Sequence, residues 1–382
     1  MMKVKFGDVV NRVNIKVDRH HTDRIYYVGG EHIESNELMI HDKGLIKGST
    51  IGYKFHFGFN PRHILFMSRN PHLRKCSMVN FSGVCSDSTY VIETKDDSVL
   101  LQDYLLFEMQ SDRFWKWAEE HKSGGVNYLI NYATLSSYEF FLPSLSVQRE
   151  LSKKLWAAYR LKESYKKLLL ATRDMVKSQF VEMFGSHDTT PVGNYIEDSY
   201  PGEWGSEDIE GTGVKVIRTT NFTNTGKLDL KDVVTRSIAD KKIERKTIHK
   251  YDTILERSGG TSDNPVGRVV LFEEDGIYLC NNFTQVLRFK NVDPRFAFYS
   301  LFYFYQTNKT KIRAMGSKST GIQNLNMSKY LEIGIPNASE DEQSRFVSIA
   351  DQADKSEFDS LRSEYELKLS IKAINSVIKS LI

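Results

Sequence analysis

Cysteine is scarce: three in 382 residues (Cys76, Cys85 and Cys280), with no Cys-x-x-Cys pair. That excludes a disulfide framework and a zinc knuckle, and it suits a reducing cytoplasm. No apolar run approaches the ~20 residues that span a bilayer. The N-terminus, MMKVKFGDVV, has no apolar stretch of the secretory kind. An excess of one charge is also missing, since the net charge is only +3. Charge alone therefore does not mark a nucleic-acid binder, and any such role must rest on local distribution.

Two further absences are local. Neither glycine nor proline occurs from Ser144 to Phe184, or from Asn337 to Ile382. In the first stretch Leu151, Leu155, Ala158, Leu161, Tyr165 and Leu168 recur at steps of three or four. In the second Phe346, Ile349, Phe358, Leu361, Tyr365 and Leu369 continue a similar stripe. Both read as long amphipathic helices. Ser146 is the expected N-cap of the first and Gly185 its stop; Ser339 with Glu342 has capping-box spacing for the second. Residues 146–190 carry a net +4 and residues 337–382 a net −3. Opposite charges on two striped helices favour pairing, here as an antiparallel coiled coil.

Each helix follows a segment of similar length, and the segments end alike. The first ends YLINYATLSSYEFFLPSLSVQREL, the second GIQNLNMSKYLEIGIPNASEDEQSRF. Asn131 falls on Asn324, Glu139 on Glu332 and Pro143 on Pro336; Gln148 falls on Gln343 after a two-residue insertion. Upstream, Ile64-Leu65 with Ser68 matches Ile254-Leu255 with Ser258, and Val84-Cys85-Ser86 matches Leu279-Cys280-Asn281. YYVGGEHI from Tyr26 corresponds loosely to KVIRTTNF from Lys215. The chain thus reads as an internal duplication. Its fold class is α+β: two mixed α/β domains at 1–145 and 186–336, with long spacer helices at 146–185 and 337–382. Short β-branched runs at Thr89–Ile92, Val269–Phe272 and Gln285–Phe289 read as strands, and aromatic stretches at Leu100–Trp117 and Arg295–Phe304 as helices.

The string STGIQNLNMSKYLEIGIP (Ser319–Pro336) resembles the end of a target-recognition domain in the specificity subunits of type I restriction-modification systems. There a glycine-led loop, an Asn-containing turn and a strand ending in proline precede a helix that opens with Glu-Gln or Gln-Arg. Gly321, Asn324, Pro336 and Glu342-Gln343 match; Asn131, Pro143 and Gln148-Arg149 repeat the pattern more loosely. VIRTTNF, DTILERSGGT and CNNFTQVLRF are similar to that family too. The first half departs where FMSRNPHLRK replaces a glycine-rich turn. The resemblance implies a cytoplasmic, non-catalytic subunit that binds double-stranded DNA. It implies two methyltransferase subunits and restriction/translocase subunits as partners. S-adenosylmethionine, ATP and Mg would then sit on those partners, with none in this chain.

Residue by residue, no chemistry contradicts this. Asp263-Asn264-Pro265-Val266 lacks the second proline and the aromatic of an amine-methylating loop. His20-His21 has no matching ligand pair, so no metal is expected. For DNA contacts the candidates are Lys54, Arg62, Arg69, Arg74, Lys75 and Lys122 in the first domain. In the second they are Arg218, Asn221, Arg257, Arg268, Arg313 and Lys318. Arg and Asn can bind base edges bidentately, whereas Lys chiefly holds phosphate. Two rival readings stay open: a specificity subunit serving a fused restriction-methylation enzyme, and a coiled-coil scaffold that binds no DNA.

Overall fold

The computed structural model describes residues 2–125, 128–261, 263–319 and 322–355, with the side chains of Lys318 and Ser319 left out. The chain forms two compact units, which meet in sequence between Lys167 and Leu168. Among the described residues no helix is long and apolar enough to cross a membrane.

The first unit is built on an antiparallel sheet of four strands in the order Val10–Val13, Thr89–Thr94, Ile64–Met67, Cys76–Met78. Its inner face is packed by the helices Gln102–Met109 and Asp112–Glu120, which realise the expected aromatic helix in two pieces. Phe66, Phe114, Trp115, Tyr138 and Phe140 are fully buried there. A second sheet contains one parallel pair, Tyr26–Val28 with Gly83–Ser86, in which Val28 lies opposite Cys85.

The second unit repeats this plan. Its four-stranded sheet runs Ile196–Pro201, Thr284–Phe289, Thr253–Glu256, Val269–Leu271. Its aromatic helix is Pro294–Thr307, started by Asp293, whose carboxylate accepts the N–H groups of Arg295 and Phe296. Again one parallel pair occurs, Val214–Ile217 with Tyr278–Cys280, and Ile217 lies opposite Cys280. The match is one of position. Thr89–Thr94 and Thr284–Phe289 differ by 195 in number, and so do Asn131 and Asn326, each capping a short helix through its side chain. The same step carries Gln148 to Gln343. The two-residue insertion expected from the sequence is therefore unnecessary in this region. Asn131 is the counterpart of Asn326, and Asn324 instead sits in the strand Ile322–Leu325.

The long helix spans Leu145–Phe184, 40 residues, or about 60 Å at 1.5 Å per residue. It begins two residues earlier than expected, after Ser144 rather than Ser146: the Ser144 carbonyl accepts the Gln148 N–H at 2.9 Å. It stops at Gly185, where a Cβ would lie 2.6 Å from the Val181 carbonyl oxygen. Leu151 packs against the first unit's own core, as does Trp156, and Leu155 is buried. Ala158 and Tyr165 are half-buried, while Leu161 and Leu168 are 46% and 48% exposed.

Residues 340–355 are helical, and the expected capping box is present. The Ser339 N–H donates to Glu342 Oε2 at 2.8 Å, and the Glu342 N–H to Ser339 Oγ at 3.3 Å. Phe346 stacks its edge on Phe180 and Phe184 of the long helix at centroid distances of 5.2 and 5.8 Å. The buried face continues through Val347, Ala350 and Ala353, with Ile349 only half-buried, so Val347 and Ala350 take the place expected of Ile349. Phe358, Leu361, Tyr365 and Leu369 lie outside the described residues.

Each helix start is clamped to its domain by a buried glutamine. Gln148 Oε1 accepts the Leu101 N–H at 2.9 Å, and its Nε2 donates to the Val99 and Pro143 carbonyls at 3.0 and 2.9 Å. Gln343 Oε1 accepts the Asp293 N–H at 2.8 Å, and its Nε2 donates to the Ala338 carbonyl at 2.8 Å. Leu101 and Asp293 are both N-cap residues of their aromatic helices. Each glutamine thus ties three segments together and leaves little of its amide unsatisfied in the interior.

Candidate nucleic-acid interface

The candidate DNA-facing loops follow the C-terminal ends of the parallel strands. In the first unit the chain leaves Val28 through Gly29 into a short 3-10 turn, Gly30–His32. The Gly29 N–H donates to His32 Nδ1 at 2.9 Å and closes that turn. In the second unit Ile217 is followed by Arg218 and the turn Thr219–Asn221. Here the Arg218 N–H donates to Asn221 Oδ1, also at 2.9 Å. Imidazole and amide do the same job at matched positions.

This geometry corrects the expectation for Asn221. It is 3% exposed, and its Nδ2 donates to the carbonyls of Asp229 and Asp232 at 2.9 and 3.0 Å. Both donors and the acceptor are used within the fold, so no amide edge remains to read a base.

Lys75 and Arg268 need a similar correction. Lys75 Nζ donates to the Gly30 carbonyl. Arg268 Nη2 donates to the Thr219 carbonyl at 3.3 Å, and its Nε pairs with Glu256 Oε2 at 2.6 Å. Glu256 is 2% exposed, and its other oxygen accepts the Gly260 N–H at 3.3 Å. Both cations point inward and hold loops: Arg268 compensates the buried Glu256 carboxylate, and each cation gives a donor to a loop carbonyl.

The other candidates lie at the surface. Arg62 pairs with Asp103 at 3.3 Å and Arg74 with Asp112 at 2.8 Å. Lys122 pairs with Glu119 at 2.7 Å and lies 4.1 Å from the Tyr128 ring centroid. The two arginine pairs are open to solvent and worth ~0–1 kcal/mol each, so a phosphate can replace the carboxylate there at little cost. Lys54 and Arg69 are exposed and have no side-chain partner among the described residues. Arg218 donates from Nη2 to the Asp232 carbonyl at 2.9 Å and carboxylate at 3.0 Å, and Asp232 itself is 91% exposed.

Arg257 is half-buried with no side-chain partner among the described residues. Its backbone N–H donates to the Phe283 carbonyl at 2.9 Å, and it precedes the Ser258–Gly259 strand. Arg313 is exposed on the helix Lys309–Met315. Lys318 pairs through its backbone with Gln323 in the hairpin of Gly316–Ser319 and Ile322–Leu325. That hairpin also pairs with Ser258–Gly259, and Ser258 Oγ donates to Asn324 Oδ1 at 2.7 Å. Gly259 and Gly260 have φ of +108° and +68°, which only glycine adopts freely. A Cβ on Gly260 would also sit 2.8 Å from the Val266 nitrogen.

The sequence reading missed Glu256, which shapes this turn, and Phe283, which is 40% exposed beside Arg257. Comparison of the two copies is the signal that finds them, since Phe66 and Ser88 occupy the corresponding places in the first. Among the described residues one cluster, Glu37, His41 and Glu163, has metal-ligand chemistry. Lys162 already lies 2.8 Å from Glu37, and Tyr159 Oη 2.9 Å from His41 Nε2. We assign no metal there.

Residues 202–367 match the family described as the type I restriction modification DNA specificity domain. The fold is similar to that of the type I restriction-modification S subunit from M. genitalium, at 13% identity and a TM-score of 0.60. That likeness covers 98% of this chain and 94% of the other. It is also similar to a chain from a study of complex assembly and conformational transition in the type I R-M system. There the identity is 18% and the TM-score 0.54, over 98% of this chain and 96% of that one. No curated protein matches the chain. Residues 202–367 are thus similar to a DNA specificity domain, and the first unit repeats the same fold. The family match is confined to residues 202–367, whereas the likeness in fold to type I restriction-modification S subunits extends over 98% of the chain.

Proposed function

We propose that the chain reads a bipartite, asymmetric DNA target, one half-site per domain, and supplies no chemistry of its own. The observation that carries this is a repeated frame bearing different outward residues. Arg69, in the loop that leaves Ile64–Met67, has Gly259 as its counterpart in the loop that leaves Thr253–Glu256. Equal frames with unequal edges favour two unlike half-sites, with an unread spacer between them. Exposed or weakly paired cations at Lys54, Arg62, Arg69, Arg74, Lys122, Arg218, Arg257 and Arg313 supply phosphate contacts and base-edge donors.

In this reading two methyltransferase subunits bind the chain and methylate adenine with S-adenosylmethionine. Restriction subunits add ATP- and Mg-dependent translocation and cleavage, all in the cytoplasm. The test is genome-wide adenine-methylation mapping with and without this subunit, together with identification of the protein that copurifies. An asymmetric two-part motif that vanishes with the subunit is expected. A palindromic motif, or methyl transfer by the rigorously purified chain alone, would overturn it.

A further inference from the structure

The inward-pointing cations Lys75 and Arg268 occupy the same place in the two copies. Lys75 immediately precedes the strand Cys76–Met78, and Arg268 immediately precedes Val269–Leu271. Each strand is the fourth in its sheet. Each cation donates to the carbonyl of the first residue in the 3-10 turn after the parallel strand, Gly30 or Thr219. Two diverged sequences therefore retain one tether, from the edge of one sheet to the loop that leaves the other.

The second copy extends it. Arg268 also grips Glu256, which holds the Gly260 N–H, and its guanidinium lies 5.7 Å from the Phe222 ring centroid. One side chain thus fixes the 218–222 loop relative to the 256–260 turn, the two segments that carry Arg218 and Arg257. In the first copy the position of Glu256 is taken by Phe66, which is buried against Trp115 and Phe114, and the lysine tether stands alone.

We propose that Lys75 and Arg268 are positioning residues for sequence readout, each holding the reading loops of its own domain in register without touching DNA. The inference rests on the DNA-reading assignment of those loops. A base-edge contact discriminates only if its donor arrives in a fixed place, so a loosened loop loses discrimination before it loses affinity. Arg268→Lys should be tolerated, because lysine performs this function in the first copy.

The test uses the full chain assembled with its methyltransferase partner. Methylation rates are measured on targets carrying single-base changes in either half-site, with binding at two salt concentrations. Lys75→Met and Arg268→Ala should each reduce discrimination about tenfold at positions of one half-site, a different one for each variant. Arg268→Lys should stay within about twofold of the unaltered complex. Unchanged discrimination in Lys75→Met overturns the proposal. So does a uniform loss across all sequences with a salt slope smaller by about one, since that marks a phosphate contact. Arg268→Ala exposes Glu256 to loss of its partner and can fail to fold. Among the described residues Lys75 has no acidic partner, so Lys75→Met decides the matter in that case. If the unaltered complex shows no sequence preference, the DNA-reading assignment itself fails.

Discussion

Replacing Gln148 by alanine removes three hydrogen bonds at once, those with the Leu101 N–H and the Val99 and Pro143 carbonyls. The residue is fully buried, so water cannot easily take over. At ~1 kcal/mol net for each bond, the loss is ~3 kcal/mol, and the orphaned Leu101 N–H pushes it upward. Gln343→Ala removes two bonds and should cost ~2 kcal/mol by the same reasoning. The two variants can be told apart by tryptophan fluorescence during urea unfolding. Trp115, Trp117 and Trp156 lie in the first unit and only Trp204 in the second. Gln148→Ala should move the dominant fluorescence transition to lower urea, while Gln343→Ala should leave it nearly unmoved and shift a transition followed by circular dichroism. A Gln148→Ala loss below ~1 kcal/mol, or one that appears in the Trp204 signal, refutes the clamp as an element of the first unit's stability.

Three other outcomes follow from the same contacts. Arg288 holds Asp252, which is 3% exposed, through two bonds of 3.0 and 2.7 Å; Arg288→Ala should destabilise the second unit by ~3–5 kcal/mol in denaturant titration, and a loss under ~1 kcal/mol would contradict it. Arg69→Ala should weaken binding to all DNA sequences alike and lower the salt slope by about one unit; a change of preference at one position instead marks a base contact. Leu168→Pro breaks the long helix at a cost of ~3 kcal/mol or more, and methyltransferase assembly measured by size exclusion should be lost; normal assembly with an unchanged methylation motif would count against the spacer role.

The frame was largely legible before any coordinates. The Gly/Pro-free runs located the long helix, and Gly185 and the Ser339–Glu342 pair marked its end and the start of the next. The repeat was legible too, but its register was not. Asn324 and Asn326 stand two residues apart, and the side-chain cap on the Lys329 N–H, with the same step of 195 in the strands and in Gln148 and Gln343, shows that Asn326 matches Asn131. The interface was the least legible part. A cation in a sequence does not announce its partner, so Lys75 and Arg268 looked like surface charges although each is spent on a backbone carbonyl. Asn221 misled for a related reason: an amide suited to adenine is equally suited to closing a turn. What decides is whether a buried carbonyl or carboxylate lies within ~3 Å, a tertiary fact.

The matched turns at Gly30–His32 and Thr219–Asn221 have a consequence for how such a chain can diverge. One is closed by an imidazole and the other by an amide, yet the backbone follows the same path. Selection on the frame therefore acts on geometry and tolerates a change of chemistry. Loop positions such as Arg69 and Lys54 lie outside the buried ties of Gln148 and Gln343. Substitutions there can alter what is bound while folding is left intact. New preferences can accumulate one domain at a time, with the opposite domain under no pressure to change.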